Sequence, residues 1–247
     1  MKVFVSPPFG NYINLPNILS VRGSFTVEPR SGLFQQICKT LRFSSQHNGW
    51  INKIGLRNKG IDYGIQKYGK SSTGNGNVIS IAILQKTDIS EFLSKIPTNT
   101  NLEINVSCPN AEKSMIDEDI DKFLHPQRKW CIIKVSPLIS HNKLDSYYEK
   151  GFRQFHMSNT YPTDAGGLSG PYLIPHNKKN IEYMRNKYPD ATIIGGGGVQ
   201  TPEHIELYKS FNIEVYFGGT LFEKFYSQDK LDLYKKISKL SLSPRTF

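Results

Sequence analysis

Short apolar runs recur along the chain, and amphipathic helix-like stretches separate them. The runs are largely apolar rather than alternating, which is typical of parallel strands that helices cover from outside. Eight such units in 247 residues predict an α/β protein, a (β/α)8 TIM barrel, as a single domain over residues 1–247. A doubly wound sheet is the alternative, because periodicity does not separate the two. The runs are residues 3–6, 19–23, 79–84, 102–107, 130–136, 154–159, 192–195 and 214–218.

Two segments are longer than a minimal barrel needs. Residues 24–78 contain an extra apolar stretch at 50–56, and residues 160–175 read as a glycine- and proline-rich loop. Long ordered loops after barrel strands commonly carry the functional site. Among the helices, Thr201 and Pro202 have the pattern of an N-cap followed by a first-turn proline, and Asp88 and Glu91 have capping-box spacing.

The cysteines and the hydropathy pattern indicate a reduced, cytoplasmic protein. Cys38, Cys108 and Cys131 are too few and too widely spaced for a disulfide framework or a zinc site, and we expect Cys38 and Cys131 in the core. No apolar run approaches the roughly 18 residues of a membrane span. The opening MKVFVSPPFG lacks the apolar region of a signal peptide.

The charge balance allows two interpretations. Lys and Arg number 31 against 21 Asp and Glu, a net charge of +10. The excess suits an acidic partner such as nucleic acid, a membrane surface or a phosphorylated ligand. A soluble basic protein with dispersed lysines is favoured, because no block of five like charges occurs.

The sequence Asn105-Val-Ser-Cys108-Pro-Asn110 follows an apolar strand and is the most informative motif. A thiol there would lie at the carboxyl-terminal mouth of the barrel, between two carboxamides that can pair with a planar, imide-like ligand. Such a cysteine can act as base, nucleophile or acid, according to its pKa. The alternative is a buried thiol that packs as a small apolar group.

Lys134 interrupts the apolar strand CIIKVSP. Burying a lysine is costly unless it is paired, and a lysine aimed into the mouth would stabilise an anion. The apolar neighbours on both sides favour that orientation over a solvated edge.

Glycine runs follow the last two predicted strands, at Gly195–Gly198 and Gly218-Gly219. Backbone N–H groups in such loops bind phosphate, and Ser169 and Gly170 in GGLSG are candidates for the same pocket. Asn52 and the pair Asn159-Thr160 are further polar groups at expected mouth positions. The histidines have no metal-ligand spacing, so we predict no metal and read them as structural or exposed: His141, His156, His176 and His204.

These motifs together resemble the dihydroorotate dehydrogenases. RGSFTVEPR, INKIGLRNKG, INVSCPN, IIKVSP, MSNT, GGLSG, IIGGGGV and VYFGGT occur in that family's order, from about residue 5 to residue 225. The resemblance implies an FMN-containing (β/α)8 barrel that oxidises dihydroorotate to orotate in pyrimidine (UMP) synthesis. A cysteine in the third motif is similar to the soluble class of the family, whose members commonly form homodimers.

The resemblance also implies roles for individual residues. Cys108 would be the base that removes a proton from C5 of dihydroorotate while hydride leaves C6 for flavin N5. Lys134 would lie beside flavin N1 and O2, where negative charge develops on reduction. The residues implied to hold the pyrimidine are Asn52, Asn105, Asn110, Asn159 and Thr160. Those implied to contact FMN, besides Lys134, are Gly23, Ser24, Ser158, Ser169, Gly170, Gly197, Gly198, Gly218 and Gly219.

One departure from the family opens alternatives. Family members carry a lysine near the end of the first or second strand, against the substrate carboxylate, and here Arg22 is the only nearby cation. One alternative is a flavin barrel that acts on another dihydropyrimidine. Another acts on dihydrouridine in transfer RNA, which the +10 charge suits although the barrel leaves no second domain for RNA. A third is a non-catalytic flavin-binding descendant. The electron acceptor stays open among fumarate, quinone and NAD through a partner subunit.

Overall fold

A computed structural model describes residues 2–12, 14, 18–107 and 116–217, with the backbone alone for 214–217. Its strands are β1 (Val3–Val5), β2 (Ile18–Phe25), β3 (Arg42–Ser44), β4 (Gly49–Asn52), β5 (Val78–Ala82), β6 (Leu102–Asn105), β7 (Cys131–Lys134), β8 (Gln154–His156), β9 (Tyr161–Thr163), β10 (Gly166–Ser169), β11 (Thr192–Gly196) and β12 (Glu214–Phe217). Its helices are α1 (Leu33–Thr40), α2 (Gly60–Tyr68), α3 (Thr87–Lys95), α4 (His141–Glu149), α5 (Ile174–Lys187) and α6 (Pro202–Ser210). Short 3-10 turns lie at Phe9–Asn11, Gly69–Ser71, Ile120–Phe123 and Pro171–Leu173.

Eight parallel strands close into a barrel in the order β1-β2-β5-β6-β7-β8-β11-β12. Closure is by β1 pairing with β12, for example Val3 with Val215. Each barrel strand coincides with one of the predicted apolar runs, although residue 218 of the last run lies outside the described residues. The predicted (β/α)8 fold is therefore confirmed, and the doubly wound alternative is wrong because a doubly wound sheet stays open.

The apolar side chains divide into an inner and an outer set, as alternation along each strand requires. Ile79 and Ile81 of β5 belong to the large cluster that contains helical residues such as Phe92 and Ile181. The inner set is a separate cluster that fills the barrel, consisting of Phe4, Val21, Val78, Trp130, Ile132 and Ile194, with Leu19 against it.

The barrel interior becomes polar toward the carboxyl ends of the strands. Ser80 follows Val78 by two residues on β5, and Lys134 follows Ile132 by two residues on β7. Both are therefore on the inward face of their strands, and both are buried. Glu103, Asn105 and His156 are buried on the intervening and neighbouring strands β6 and β8. The fold thus gathers buried polar groups at the mouth, where barrels carry their sites.

The two surplus segments pair with each other. Strands β3, β4, β10 and β9 form a separate antiparallel sheet, with Ile51 opposite Leu168. We call this four-stranded unit the accessory sheet. The prediction that residues 160–175 form a loop is wrong, because they form a hairpin and a 3-10 turn that continue the accessory sheet from β4.

Local predictions at helix termini had mixed outcomes. The Thr201 hydroxyl accepts from the His204 N–H at 3.5 Å and Pro202 opens α6, as predicted. The capping box at Asp88 and Glu91 is wrong. Helix α3 already begins at Thr87, and the Asp88 carboxylate accepts from the backbone N–H groups of Leu84 and Gln85.

The two cysteines in the described residues have different environments. Cys131 is buried, as expected. Cys38 is exposed, so its predicted core position is wrong. It lies on α1, which contacts β4 of the accessory sheet and buries none of its residues. Among the residues described, no helix has both the length and the apolar character that a membrane span requires.

Candidate active site

A fully buried carboxylate, Glu103, is the centre of the polar layer. The Ser80 hydroxyl donates to its Oε1 at 2.8 Å, and His156 Nδ1 lies 2.9 Å from its Oε2. The Lys134 ammonium is 4.0 Å from Oε1. One carboxylate on β6 therefore links side chains of β5, β7 and β8 across half of the barrel.

The charges of this cluster follow from its burial and its contacts. Burial by itself would raise the pKa of Glu103, but the Lys134 charge and the hydrogen bonds from His156 and Ser80 outweigh it and lower that pKa. Burial lowers the pKa of His156 to about 4, against the opposing attraction of Glu103. At neutral pH Glu103 is therefore ionised and His156 neutral. Since an ionised carboxylate only accepts, the His156 Nδ1–H is the donor.

Lys134 lies inside the barrel rather than at a solvated edge. It is 7% exposed, and its Cα pairs with Asn105 on one side and His156 on the other. The carbonyl of Lys134 accepts from the Ser107 hydroxyl at 3.4 Å. The side chain is thus a cation fixed within the polar layer, beside its counter-ion Glu103.

A chain of amide and hydroxyl groups crosses the mouth above this cluster. The Ser24 and Ser80 hydroxyl oxygens are 2.8 Å apart, and Asn105 Nδ2 donates to the Ser24 oxygen at 3.3 Å. Asn159 Nδ2 in turn donates to Asn105 Oδ1 at 3.1 Å, and to the Ser107 hydroxyl and carbonyl oxygens. The structure thereby brings together three residues that the sequence predicted separately: Ser24, Asn105 and Asn159.

Thr160, Asn52 and Gly23 lie at the margins of that chain. The Thr160 N–H donates to Asn159 Oδ1 at 2.9 Å. Asn52 ends β4 opposite Gly167, so it belongs to the accessory sheet rather than to a barrel strand. Gly23 is held from outside through paired hydrogen bonds with the Asn11 side chain.

Arg22 does not face the polar layer. Its neighbour Val21 points inward, so Arg22 points to the outer side of β2. There its guanidinium donates to the carbonyl of Gly10 and to Asn14 Oδ1, and it lies over the ring of Tyr68. Desolvation by burial lowers the pKa of this guanidinium.

The glycine run after β11 packs closely against Ser158 and Gly170. Gly197 has φ +81°, and a Cβ there would lie only 2.1 Å from the Ser158 oxygen. A Cβ on Gly198, at φ +74°, would lie 2.6 Å from the Gly170 carbonyl oxygen. Backbone at these positions is therefore restricted to glycine.

Side chains of α5 and α6 bind the carbonyl groups of this glycine run from the helix side. Asn177 Nδ2 donates to the Gly196 carbonyl at 2.7 Å and to the Ser158 oxygen at 3.2 Å. The Tyr208 hydroxyl lies 2.7 Å from the Gly196 carbonyl and 2.9 Å from that of Gly197. The carbonyl oxygens are thus occupied on the helix side of the run.

The N–H group of Gly198 in this run remains available. Within the part of the chain that the structure describes, no group accepts a hydrogen bond from it. A backbone N–H of a positive-φ glycine can contribute to an anion-binding concavity. Ser169 is close by on β10, where its hydroxyl donates to the Trp50 carbonyl at 3.1 Å.

Four of the predicted site residues lie outside the described residues: Cys108, Asn110, Gly218 and Gly219. Within the described residues, no group of three or more His, Cys, Asp and Glu side chains is placed to hold a metal ion.

The sequence analysis did not single out Glu103, Ser80 or Asn177. Glu103 had a readable signal, because it interrupts the apolar strand LEIN as Lys134 interrupts CIIK, and it precedes Asn105 by two residues. His156 was read as structural or exposed. It is buried, and its place two residues before Ser158 indicates the same inward face.

Models of two known protein families match parts of this chain. The model of the family Dihydroorotate dehydrogenase matches residues 19–127. A second model, (2R)-phospho-3-sulfolactate synthase (ComA), matches residues 198–241.

Two curated relatives are catalytic subunits of dihydroorotate dehydrogenase B (NAD(+)). That of Petrotoga mobilis is 28% identical over 191 residues, covering 65% of this chain and 63% of the relative. That of Endomicrobium trichonymphae is 28% identical over 214 residues, covering 74% and 67%. The matched region thus spans about two thirds of the length of these relatives.

Solved structures show the same fold. The ligand-free DHODH of Eimeria tenella superimposes with a TM-score of 0.71 at 16% identity, covering 91% of this chain and 80% of that one. The complex of Eimeria tenella DHODH with ferulenol gives 0.71, also at 16% identity, covering 97% and 82%.

Proposed function

We propose that this chain is a distant member of the dihydroorotate dehydrogenase family, to which its sequence is similar. We infer that it is an FMN-dependent oxidoreductase that converts dihydroorotate to orotate, a step of pyrimidine (UMP) synthesis. The observation that carries the proposal is the partly buried amide and hydroxyl chain of Ser24, Asn105 and Asn159, directly beside the buried Lys134. Carboxamides in that arrangement present donors and acceptors to the imide edges of a pyrimidine.

The residues at the mouth fit FMN. The free N–H group of Gly198, with Gly170 packed against it and Ser158 against the neighbouring Gly197, suits a phosphate monoester. The second family model, whose name includes a phosphorylated compound, begins at this run. Lys134 and Ser24 suit the isoalloxazine ring, and Ser169, Gly23, Gly218 and Gly219 complete the proposed contacts. FMN, when bound, supplies the hydride acceptor at its N5.

We assign three roles to side chains of this protein: substrate orientation, proton removal and charge stabilisation. Asn52, Asn105, Asn110, Asn159 and Thr160 orient the pyrimidine so that its C6 hydrogen faces the hydride acceptor. Cys108, as thiolate, takes the proton from C5. Lys134 holds positive charge where negative charge accumulates.

An anaerobic visible spectrum tests the proposal. The purified protein is supplied with FMN, freed of excess, and recorded before and after addition of dihydroorotate. We expect bound-flavin bands that bleach. Cys108→Ala is the matched control, and it should retain the flavin bands without bleaching. Bands that persist in the wild type with dihydroorotate would contradict the proposed substrate.

A second candidate is oxidation of a dihydropyrimidine that has no carboxylate, such as dihydrouracil. It is favoured by the position of Arg22, whose guanidinium is held by Gly10, Asn14 and Tyr68 on the outer side of β2. That cation does not reach a substrate carboxylate from there. The same spectral titration with dihydrouracil distinguishes the two, since bleaching by dihydrouracil and not by dihydroorotate would select this candidate.

For the electron acceptor we favour NAD+ through a partner subunit, because the curated relatives are named as catalytic subunits of NAD(+) enzymes. The isolated chain, once reduced, should then not be reoxidised by NAD+ alone. Rapid reoxidation by fumarate under anaerobic conditions would contradict this choice.

A further inference from the structure

Glu103 is a charge that the fold need not contain. It is fully buried inside the barrel. In the layer directly below it, apolar side chains fill the barrel without any electrostatic cost: Val21, Val78, Ile132 and Ile194. A buried ion pair is seldom more stable than apolar residues of the same volume, because both ions lose their hydration. Packing stability therefore does not account for this carboxylate.

The groups that hold Glu103 in place are different from the charge on which it acts, Lys134. Its two short contacts are with Ser80 Oγ and His156 Nδ1, at 2.8 and 2.9 Å. The Lys134 ammonium stands farther off, at 4.0 Å, beyond hydrogen-bond distance. The carboxylate is thus fixed by neutral donors, so that the N–H groups of Lys134 stay available to a ligand at the mouth.

We propose that Glu103 is the counter-ion that sets the charge balance at Lys134, and that Ser80 and His156 are positioning residues that hold it in place. This inference rests on the flavin oxidoreductase proposed above. Lys134 favours negative charge on the flavin ring, and Glu103 limits that effect, so that the pair sets how readily bound flavin is reduced. His156 contributes a hydrogen bond and no charge.

The midpoint potential of bound FMN is the measurement that a purely structural role would not move. Glu103→Gln keeps the shape of the side chain and its capacity to bond Ser80 and His156, but removes the charge. At saturating FMN, we expect the potential to become more positive than in the wild type. Lys134→Met should move it in the opposite direction. A Glu103→Gln protein that binds FMN at the wild-type potential would overturn the inference.

A matched pair at His156 tests the positioning role. Asparagine places an N–H donor near the position of Nδ1, whereas leucine fills the volume without a donor. The charged or titratable groups that face Glu103 within the described residues are Lys134 from β7 and His156 from β8. His156→Asn should keep the wild-type potential at every pH.

His156→Leu should follow the wild type at alkaline pH and approach Glu103→Gln at acid pH, because a carboxylate that loses a donor binds a proton more readily. Equal profiles for the two His156 variants would contradict the positioning role. If His156→Leu does not fold, as urea unfolding would show, the comparison of Glu103→Gln with Lys134→Met decides alone.

A flavin-free measurement separates failure of this inference from failure of the proposed function. In ¹⁵N-histidine NMR spectra of the protein without FMN, His156 should remain neutral, with the proton on Nδ1, down to about pH 4. Titration of His156 in the ordinary histidine range would overturn the buried pair whether or not the protein binds FMN. A wild type that binds no FMN but has this spectrum would refute the flavin role and keep the pair.

Discussion

Strand β7 places Ile132 and, two residues later, Lys134 on the same inward face of the barrel. Ile132 belongs to a layer of apolar side chains that pack against one another. Lys134 belongs to a polar layer in which its charge faces Glu103, and Ser80 and His156 hold that carboxylate in place. Both layers are buried, so exposure does not distinguish them.

The difference concerns what each layer loses when one member changes. In an apolar layer the loss scales with the atoms removed and the cavity left behind. In a polar layer the loss depends on whether the remaining partners are left with an uncompensated charge. Substitutions in the two layers therefore separate stability from function.

The largest effect is expected at Lys134. Lys134→Met leaves Glu103 buried without its counter-ion, and breaking a buried pair in this way costs about 3–5 kcal/mol of unfolding free energy. The double variant Lys134→Met, Glu103→Leu extends the apolar layer upward and should recover most of that loss, while FMN reduction stays impaired. Urea unfolding of both single variants and the double variant measures the coupling. A double variant as unstable as the sum of the singles would show that the two side chains do not interact.

Ile132→Ala should also destabilise the protein, by about 2–5 kcal/mol, because it opens a cavity in the packed interior. Unlike Lys134→Met, which is expected to change both properties, Ile132→Ala should lower stability and leave the midpoint potential of bound FMN unchanged. Ile132→Val, which removes one methylene, should cost about 0.5–1.5 kcal/mol. A changed potential in Ile132→Ala would mean that the two layers are mechanically coupled.

The pH dependence of stability should report on the polar layer. His156 has a folded pKa of about 4, below its value in the unfolded chain. The unfolded state therefore binds a proton first as the pH falls, and stability is lost from about pH 6.5 downward, by about 2 kcal/mol at pH 5. The lowered pKa of Glu103 adds a further loss only at lower pH, as that carboxylate becomes protonated.

The variant His156→Asn is the control for this slope, because it keeps the hydrogen bond and removes the titrating group. Its unfolding free energy should be flatter between about pH 6.5 and pH 5. The same acid slope in both proteins would assign the loss of stability to other residues.

The barrel could be predicted from the sequence because apolar runs such as 79–84 and 102–107 carry the signal of covered parallel strands. The accessory sheet could not, since its central pairing joins Ile51 to Leu168, more than a hundred residues away, through segments rich in glycine. Local composition there indicates a loop, and only the remote partner turns it into a strand.

The same limit applies to the site. Lys134 was found because a charge within an apolar strand needs a partner, and the same rule applied to Glu103 would have found that partner. His156 was judged only by metal-ligand spacing, which says nothing of a hydrogen bond to a carboxylate two strands away. The helical pattern around Cys38 predicts an apolar face but not whether anything covers it, and α1 buries none of its residues.

The smallest effect is expected at Cys38, and it sharpens the contrast between the packed barrel and the periphery. Cys38→Ser should change the unfolding free energy by no more than about 0.5 kcal/mol, because the side chain is exposed. Cys131→Ser should cost more unfolding free energy, since it places a hydroxyl in a buried position where burial also raises the thiol pKa to about 12.

The reactivity of the two thiols tests the same contrast. In a Cys108→Ala background, an aromatic disulfide reagent should modify Cys38 in the folded protein and Cys131 only on unfolding. Two thiols that react at the same rate in the folded state would place Cys131 at the surface and remove the reason for treating β7 as a strand buried on both faces.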